Sequence, residues 1–373
     1  MNAHGGLDLP DWNRFLRIPV KPDWEGLRDN LLRRGTPARV FYMELYEDKE
    51  IKDRVCAVYG VGSDLNRSHP YYDLQRDIAV QRFLGYDAVV CQVDWPGFPR
   101  NRLAAHDSTT EAGQSRGTRQ WEDEHTGMIA SWEDFGRYPW PSPAQIRTDS
   151  LEWLGRNLPD DMCIYSSCHS VFEQVTWLMS YEGLCIALHD QPDLVNAMFE
   201  RVGSTLLEVC RVLVQVPRVE ILFGGDDMGF KTQTMISPND LITKSFPWHR
   251  RMATLAHDNG RVYLLHACGN LDAVMPALIE DVRIDGKHSF EDAIEPVTVA
   301  KRRYGDRIAL IGGVDVDLLC RGTEEAIRAR TREVLDVCLP GGGYCLGSGN
   351  TIANYVPLEA YLAMLDEGRR YSA

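Results

Sequence analysis

No stretch of this 373-residue chain approaches the ~20 consecutive apolar residues that span a bilayer, so a membrane-spanning helix is not expected. A surplus of basic side chains is missing too: 40 Lys and Arg face 54 Asp and Glu, a formal net charge of −14. Nucleic-acid affinity rests on cations that neutralise phosphates, so neither nucleic acid nor an anionic membrane surface is an expected partner. The opening stretch MNAHGGLDLPDWNRF has none of the basic and apolar regions of a signal peptide. With 10 cysteines and no leader, the expected setting is a reducing cytoplasm. The GxGxxG fingerprint is absent from the first strand–helix turn, and no P-loop spacing follows the glycines of PGGGYCLGSGN. Nucleotide-binding folds therefore gain no support. Internal repeats and low-complexity tracts are missing as well.

What the chain does carry is a repeating pattern. Apolar runs at 39–45, 87–95, 162–169, 219–227, 261–268, 285–291, 307–315 and 342–349 read as strands. Segments with helical spacing lie between them, at 190–215, 238–259, 270–282 and 323–338. One opens with SPND, which sets Ser237 as N-cap, Pro238 at the first helical position and Asp240 in the first turn. Near-continuous apolar strands alternating with helices predict an α/β fold whose parallel sheet is covered on both faces. Eight such units predict a single (β/α)8 TIM barrel over residues 1–373, with an open doubly wound sheet as the alternative. Residues 1–35 read as a lead-in helix covering the barrel bottom or an interface. Residues 96–135, polar and rich in Gly, Arg and Glu, read as a hairpin or lid inserted after the second strand.

In such a barrel the C-terminal strand ends carry function. Those ends present Glu44, Asp94 with Trp95, Cys168 with His169, Asp226 with Asp227, His266 with Cys268, His288 with Glu291, Asp315, and Cys345 with Ser348. Side chains two apart on a strand share a face, so His266 and Cys268 can reach one ion. Cys345, in the last strand, can approach from across the barrel. Imidazole and thiolate are donors that zinc prefers, and three protein ligands leave a position open for chemistry. The expected centre is therefore Zn2+ on His266, Cys268 and Cys345, with water, substrate or Glu291 as the fourth ligand. In GGDDMG one carboxylate is expected to orient substrate or act as a base, with Asp227 the catalytic candidate, while the other hydrogen-bonds loop amides. Glu44, Asp94, Trp95, Asp226, His288, Asp315 and Ser348 are candidate substrate contacts. Plainer roles stay open: Asp226 as a turn cap, His288 as a core histidine, Trp95 in packing.

The stretches HACGN, KHSFEDAI, KRRYGDRIALIGGVDVDLL, GTEEAIRARTREVL and PGGGYCLGSGNTIANYVPLEAYLAML together resemble the uroporphyrinogen decarboxylase superfamily, from about residue 219 to the C-terminus. WEDFGRYPWPSP carries a thinner likeness upstream. The resemblance implies a (β/α)8 barrel. The superfamily's true decarboxylases carry an arginine-bearing RQAGRY-type motif after the first strand. Here the matching stretch is FYMELYEDKEI, with Glu44 and Glu47, and an acidic mouth repels a polycarboxylate porphyrinogen. H-x-C followed far downstream by a Cys in the last strand instead resembles the superfamily's zinc methyltransferases, of the methylcobamide:coenzyme M and O-demethylase types. That branch implies zinc on His266, Cys268 and Cys345 with a carboxylate ligand near Glu291. It also implies methyl transfer between a small methylated compound (a methyl ether, amine or thiol) and a corrinoid (cobalamin) held on a partner corrinoid-binding protein.

Two other readings compete. One is a metal-free decarboxylase in which Asp227 stabilises a protonated intermediate. The other is a non-catalytic protein that binds a tetrapyrrole or corrinoid. Trp95, Trp121 and Trp132 suit an aromatic substrate and core or lid packing equally well. A homodimer is one of the assemblies the sequence leaves open.

Overall fold

The apolar runs become strands, shorter than the runs themselves. In a computed structural model that describes residues 11–106 and 118–372, they begin with β1 (Phe41–Tyr42) and β2 (Ala88–Val90). The inserted segment then forms β3 (Arg102–His106) and β4 (Thr118–Glu122). The series continues with β5 (Cys163–His169), β6 (Val219–Gly225), β7 (Val262–His266), β8 (Gly286–His288), β9 (Ala309–Ile311) and β10 (Tyr344–Leu346). Eight of these pair in parallel in the order β1-β10-β9-β8-β7-β6-β5-β2. With helices between successive strands, this is the order of a (β/α)8 barrel, and all eight expected strands take part. β1 and β2 stand at the two ends of the ladder. Their seam is tied by an ion pair between Arg39, just before β1, and the fully buried Asp87, just before β2.

Period two sorts each strand into inner and outer side chains. The inner set includes Phe41, Met43, Ala88, Cys163, Tyr165, Ile221, Phe223, Val262, Leu264, Ala309, Ile311 and Cys345. Leu27 and Leu31 join it from the helix Trp24–Leu31, which starts at Asp23, an N-cap that accepts from the Gly26 amide at 3.0 Å. Asn30 of that helix donates to the Tyr344 carbonyl at 2.8 Å and accepts from the Gly343 amide at 3.0 Å. The lead-in helix thus plugs the end of the barrel where the strands begin. Each leucine so buried contributes about 1.5–3 kcal/mol.

Outside the sheet, the helices Pro192–Leu213 and Glu324–Cys338 occupy the segments read as helical. Ser237 caps its helix by accepting from the Asp240 amide at 3.1 Å. The expected helix at 238–259 contains a π-helical stretch, Leu241–Ser245, directly before Phe246–Asp258. It lies beside Pro247, which has no amide to donate to an i−4 carbonyl. The inserted hairpin is antiparallel, with Leu103 opposite Trp121. Residues 107–117 of the expected lid and 1–10 of the lead-in fall outside the described residues. Among the described residues no helix is long and apolar enough to cross a membrane.

Candidate metal centre

β7 carries Val262, Leu264 and His266 on its inner face, and Cys268 follows two residues past the strand end. β6 places Ile221, Phe223, Gly225 and then Asp227 on the same side. The loops that follow these two strands touch through glycines. A Cβ on Gly269 would lie 2.1 Å from the Gly229 carbonyl oxygen, and one on Gly229 would lie 2.8 Å from the Asn270 nitrogen. The Asn270 amide donates to the Phe230 carbonyl at 2.7 Å. This backbone-to-backbone approach brings Asp227 against Cys268, whose amide donates to Asp227 Oδ1 at 2.8 Å.

The result is one compact donor group. Asp227, His266 and Cys268 each offer one ligand atom, all within 4.8 Å of one another. His266 Nε2 stands 3.4 Å from Cys268 Sγ and 3.3 Å from Asp227 Oδ1. Its Nδ1 lies 2.7 Å from Nδ1 of His288, which is fully buried. Cys268 Sγ accepts from Asn350 Nδ2 at 3.1 Å and from Ser289 Oγ at 3.6 Å. Burial, and then the neighbouring Asp227 charge, push the Cys268 thiol up to about 12. Partial desolvation works against the charge on half-buried Asp227, but hydrogen bonding and charge from His266 hold its carboxyl below the usual range. A carboxylate pressed against a thiol is costly alone. A cation between them turns that repulsion into shared ligation, so the N, S and O donors fit a zinc ion.

Two cavities meet at this group. The first, about 560 Å³, opens at the strand ends and is lined by Gln92, Arg100, Tyr165, His169, Asp227 and His266 among others. Burial, and then the Arg100 charge, lower His169 to about 4, so it is a neutral imidazole at pH 7. The second, about 380 Å³, reaches Asp227 and Cys268 from beneath the hairpin. Glu173 borders both; burial, then Asp227 and Asp226, raise its carboxyl well above the usual carboxylate range.

Several sequence-based expectations need correction. Cys345 is not brought to the donor group. It pairs in register with Phe41, packs in the lower interior with Leu27 and Leu31, and its thiol lies 3.5 Å from Asn30 Nδ2. The ladder reaches the mouth only after Leu346, and Asn350 is the residue of this segment that meets Cys268. Glu291 is outside the donor group as well and lines a separate cavity of about 180 Å³ with Lys287. Asp226 points away from the mouth, fully buried, and accepts from the Phe172 and Glu173 amides at 3.0 and 2.9 Å. His288 supports His266 from behind. Asp315 caps the helix Val316–Arg321 and accepts from the Asp292 amide at 2.9 Å. Asp94 is exposed, bridging to Arg147 through its backbone. Trp95 stands behind the mouth, its Nε1 3.3 Å from His169 Nε2. Asn350, Ser289, Glu173 and Arg100 escaped sequence reasoning. Only Asn350 carried a signal, as the polar residue that ends the glycine run GSGN.

Glu44 and Ser348 are buried against each other. Glu44 Oε1 accepts from the Ser348 amide at 2.8 Å, and its other oxygen pairs with the Ser348 hydroxyl. Burial pushes this carboxyl from 4.5 up to about 8, against the Ser348 hydrogen bonds that favour the charged form. The neutral form is therefore the one the fold prefers. Its stabilising contribution is complete below pH 4.5 and is lost as pH rises through about 8. Glu44→Gln keeps the hydrogen bonds without the titration. Its stability relative to wild type is expected to rise between those limits by on the order of a few kcal/mol. Urea denaturation at pH 5, 7 and 9 measures this; parallel curves would disprove it.

A parallel barrel with polar donors and cavities at its C-terminal strand ends defines a barrel enzyme. More specifically, the chain belongs to the uroporphyrinogen decarboxylase (URO-D) family, whose model matches residues 126–371. The uroporphyrinogen decarboxylase of Bordetella petrii is 41% identical over 75 residues, which are 20% of this chain and 21% of that protein. The chain thus matches about a fifth of that curated relative's length. Among solved structures, a methyltransferase from Methanosarcina mazei aligns with a TM-score of 0.65 at 17% identity, covering 93% of this chain and 98% of the other. At that identity the likeness concerns the fold.

Proposed function

We propose that this protein is a zinc-dependent methyltransferase that moves a methyl group between a small methylated compound and a corrinoid held on a partner protein. One observation carries the reading: imidazole, thiol and carboxylate donors from two adjacent strand ends converge within 4.8 Å at the junction of two cavities. Asp227, His266 and Cys268 would hold the ion. Bound there, zinc supplies Lewis acidity, which keeps a thiol acceptor ionised or polarises the oxygen of a methyl donor.

The chain's own residues do the rest. His266 presents its Nε2 lone pair only when Nδ1 carries the proton, and His288 Nδ1 at 2.7 Å accepts it. Asn350 and Ser289 steady the Cys268 sulfur with hydrogen bonds that favour the thiolate. Tyr165, Phe223 and Trp177 give the first cavity apolar walls that exclude water around the reacting groups. The 10 cysteines, all of them free thiols, support a cytoplasmic setting.

The decarboxylase reading keeps one supporting observation, an Asp227 carboxylate facing the mouth. Against it, Arg100 is the one Lys or Arg side chain lining the first cavity among the described residues, too little to grip a polycarboxylate. Metal analysis of the purified protein, joined to an assay of methyl transfer to cob(I)alamin, separates the two. About one zinc per chain and chelator-sensitive transfer are expected. Metal-free protein under zinc-replete conditions would remove the zinc reading.

A further inference from the structure

The two cavities differ in character. Arg100 and His169 line the first, whereas no Lys, Arg or His lines the second among the described residues. Aromatic rings do. Tyr181 and Phe230 stand nearly perpendicular, at 81° with centroids 5.8 Å apart, and Trp121 and Trp177 add two further walls. Trp121 and Phe230 are each 45% exposed, large apolar surfaces that water covers poorly. Trp177 already carries one cation on its ring, the Arg100 guanidinium 4.1 Å from the centroid, although Arg100 does not line this cavity.

The charges around these rings are negative. Glu122 is neutralised by Arg100 and Arg102, but Asp123 spends its carboxylate on the His125 and Thr126 amides and keeps its charge. Asp227 forms the inner wall with Cys268. Aromatic faces beside carboxylates, with no Lys, Arg or His among the described residues that line them, form the environment that recognises an alkylated ammonium. A carboxylate ligand would meet Asp123 and Asp227 with no lining cation among the described residues to pair with. A plain hydrocarbon would gain the apolar contacts and forgo the electrostatic ones.

We infer that the second cavity binds a small molecule carrying a trimethylammonium-type head, with the remainder of the molecule directed at the Asp227–His266–Cys268 group. This deepens the methyltransferase reading, since it names the class of the small substrate, and rests on that reading for the substrate's fate. The binding itself requires neither metal nor methyl transfer.

The test is isothermal titration of the full chain, with and without zinc, using choline, its neutral isostere 3,3-dimethyl-1-butanol, and 4-methoxybenzoate. Choline is expected to bind at least about tenfold more tightly than the isostere, and 4-methoxybenzoate is not expected to displace it. Phe230→Ala and Trp121→Ala, both exposed positions whose fold is checked by circular dichroism, should each weaken choline about fivefold or more. Equal affinity for the isostere, no saturable choline binding, displacement by 4-methoxybenzoate, or unchanged affinity in both variants would each overturn the inference. Choline bound without zinc uptake or methyl transfer would defeat the proposed function and leave the site standing. Zinc-dependent transfer with no choline binding would do the reverse.

Discussion

Cys268→Ala protein is expected to lose at least about a hundredfold in zinc affinity, while Cys345→Ala protein keeps its zinc and unfolds more easily. Cys268 stands 3.4 Å from His266 Nε2, with Asn350 and Ser289 holding its sulfur. Disturbing such supporting hydrogen bonds alone typically costs 10–100-fold in metal affinity, and removing the ligand itself costs no less. Cys345 sits a layer below, sealed from solvent between Phe41, Ile311 and the plug residues Leu27 and Leu31. Its replacement by alanine removes one sulfur's packing and leaves a small void, worth about 1–2 kcal/mol. Competition with a chromophoric chelator measures the first effect and urea denaturation the second. The opposite pattern, zinc lost with Cys345 and kept without Cys268, would restore Cys345 to the centre.

Why the two thiols are so easily confused in the sequence is a matter of periodicity. Runs such as RVYLLHAC and VEILFGGDD announce buried parallel strands because both faces are apolar, and the eight-strand barrel follows from their repetition. His266 and Cys268 are legible for the same reason, being two residues apart on one inward face. GGGYCLGSGN offers no such ruler. Its glycines allow the chain to leave the ladder anywhere, and the pairing ends at Leu346, which puts Cys345 level with Phe41 and brings Asn350 to the mouth. Glu44 and Ser348 were misplaced by parity. Both stand on outward-facing positions, so they bury against each other and never reach the cavity. Contacts such as Asn350 with Cys268 depend on how two distant loops meet, which no local pattern encodes.

The same parity divides Asp226 from Asp227 and sets the last expectation: Asp226→Asn costs about 3–5 kcal/mol of stability, while Asp227→Asn costs under about 1 kcal/mol and loses zinc instead. Asp226 faces outward from the end of β6 and is surrounded by donors. The Phe172 and Glu173 amides, Ser245 Oγ at 3.1 Å and His249 Nε2 at 2.7 Å all point to its carboxylate. His249 in turn accepts from Tyr263 Oη at 2.8 Å, and every member of this chain is fully buried apart from Glu173. An asparagine amide would set N–H against N–H, leaving buried donors without partners, and would release the start of the helix Phe172–Met179 from the sheet. Asp227 has a different burden. Its side chain is 40% exposed, and an asparagine oxygen can still accept from the Cys268 amide, so the fold barely notices the change. What the variant lacks is the negative charge that the proposed zinc ion would meet beside His266 and Cys268. Urea denaturation and zinc competition on both variants separate the roles, and a Asp227→Asn protein less stable than Asp226→Asn would show that the inward aspartate is structural after all.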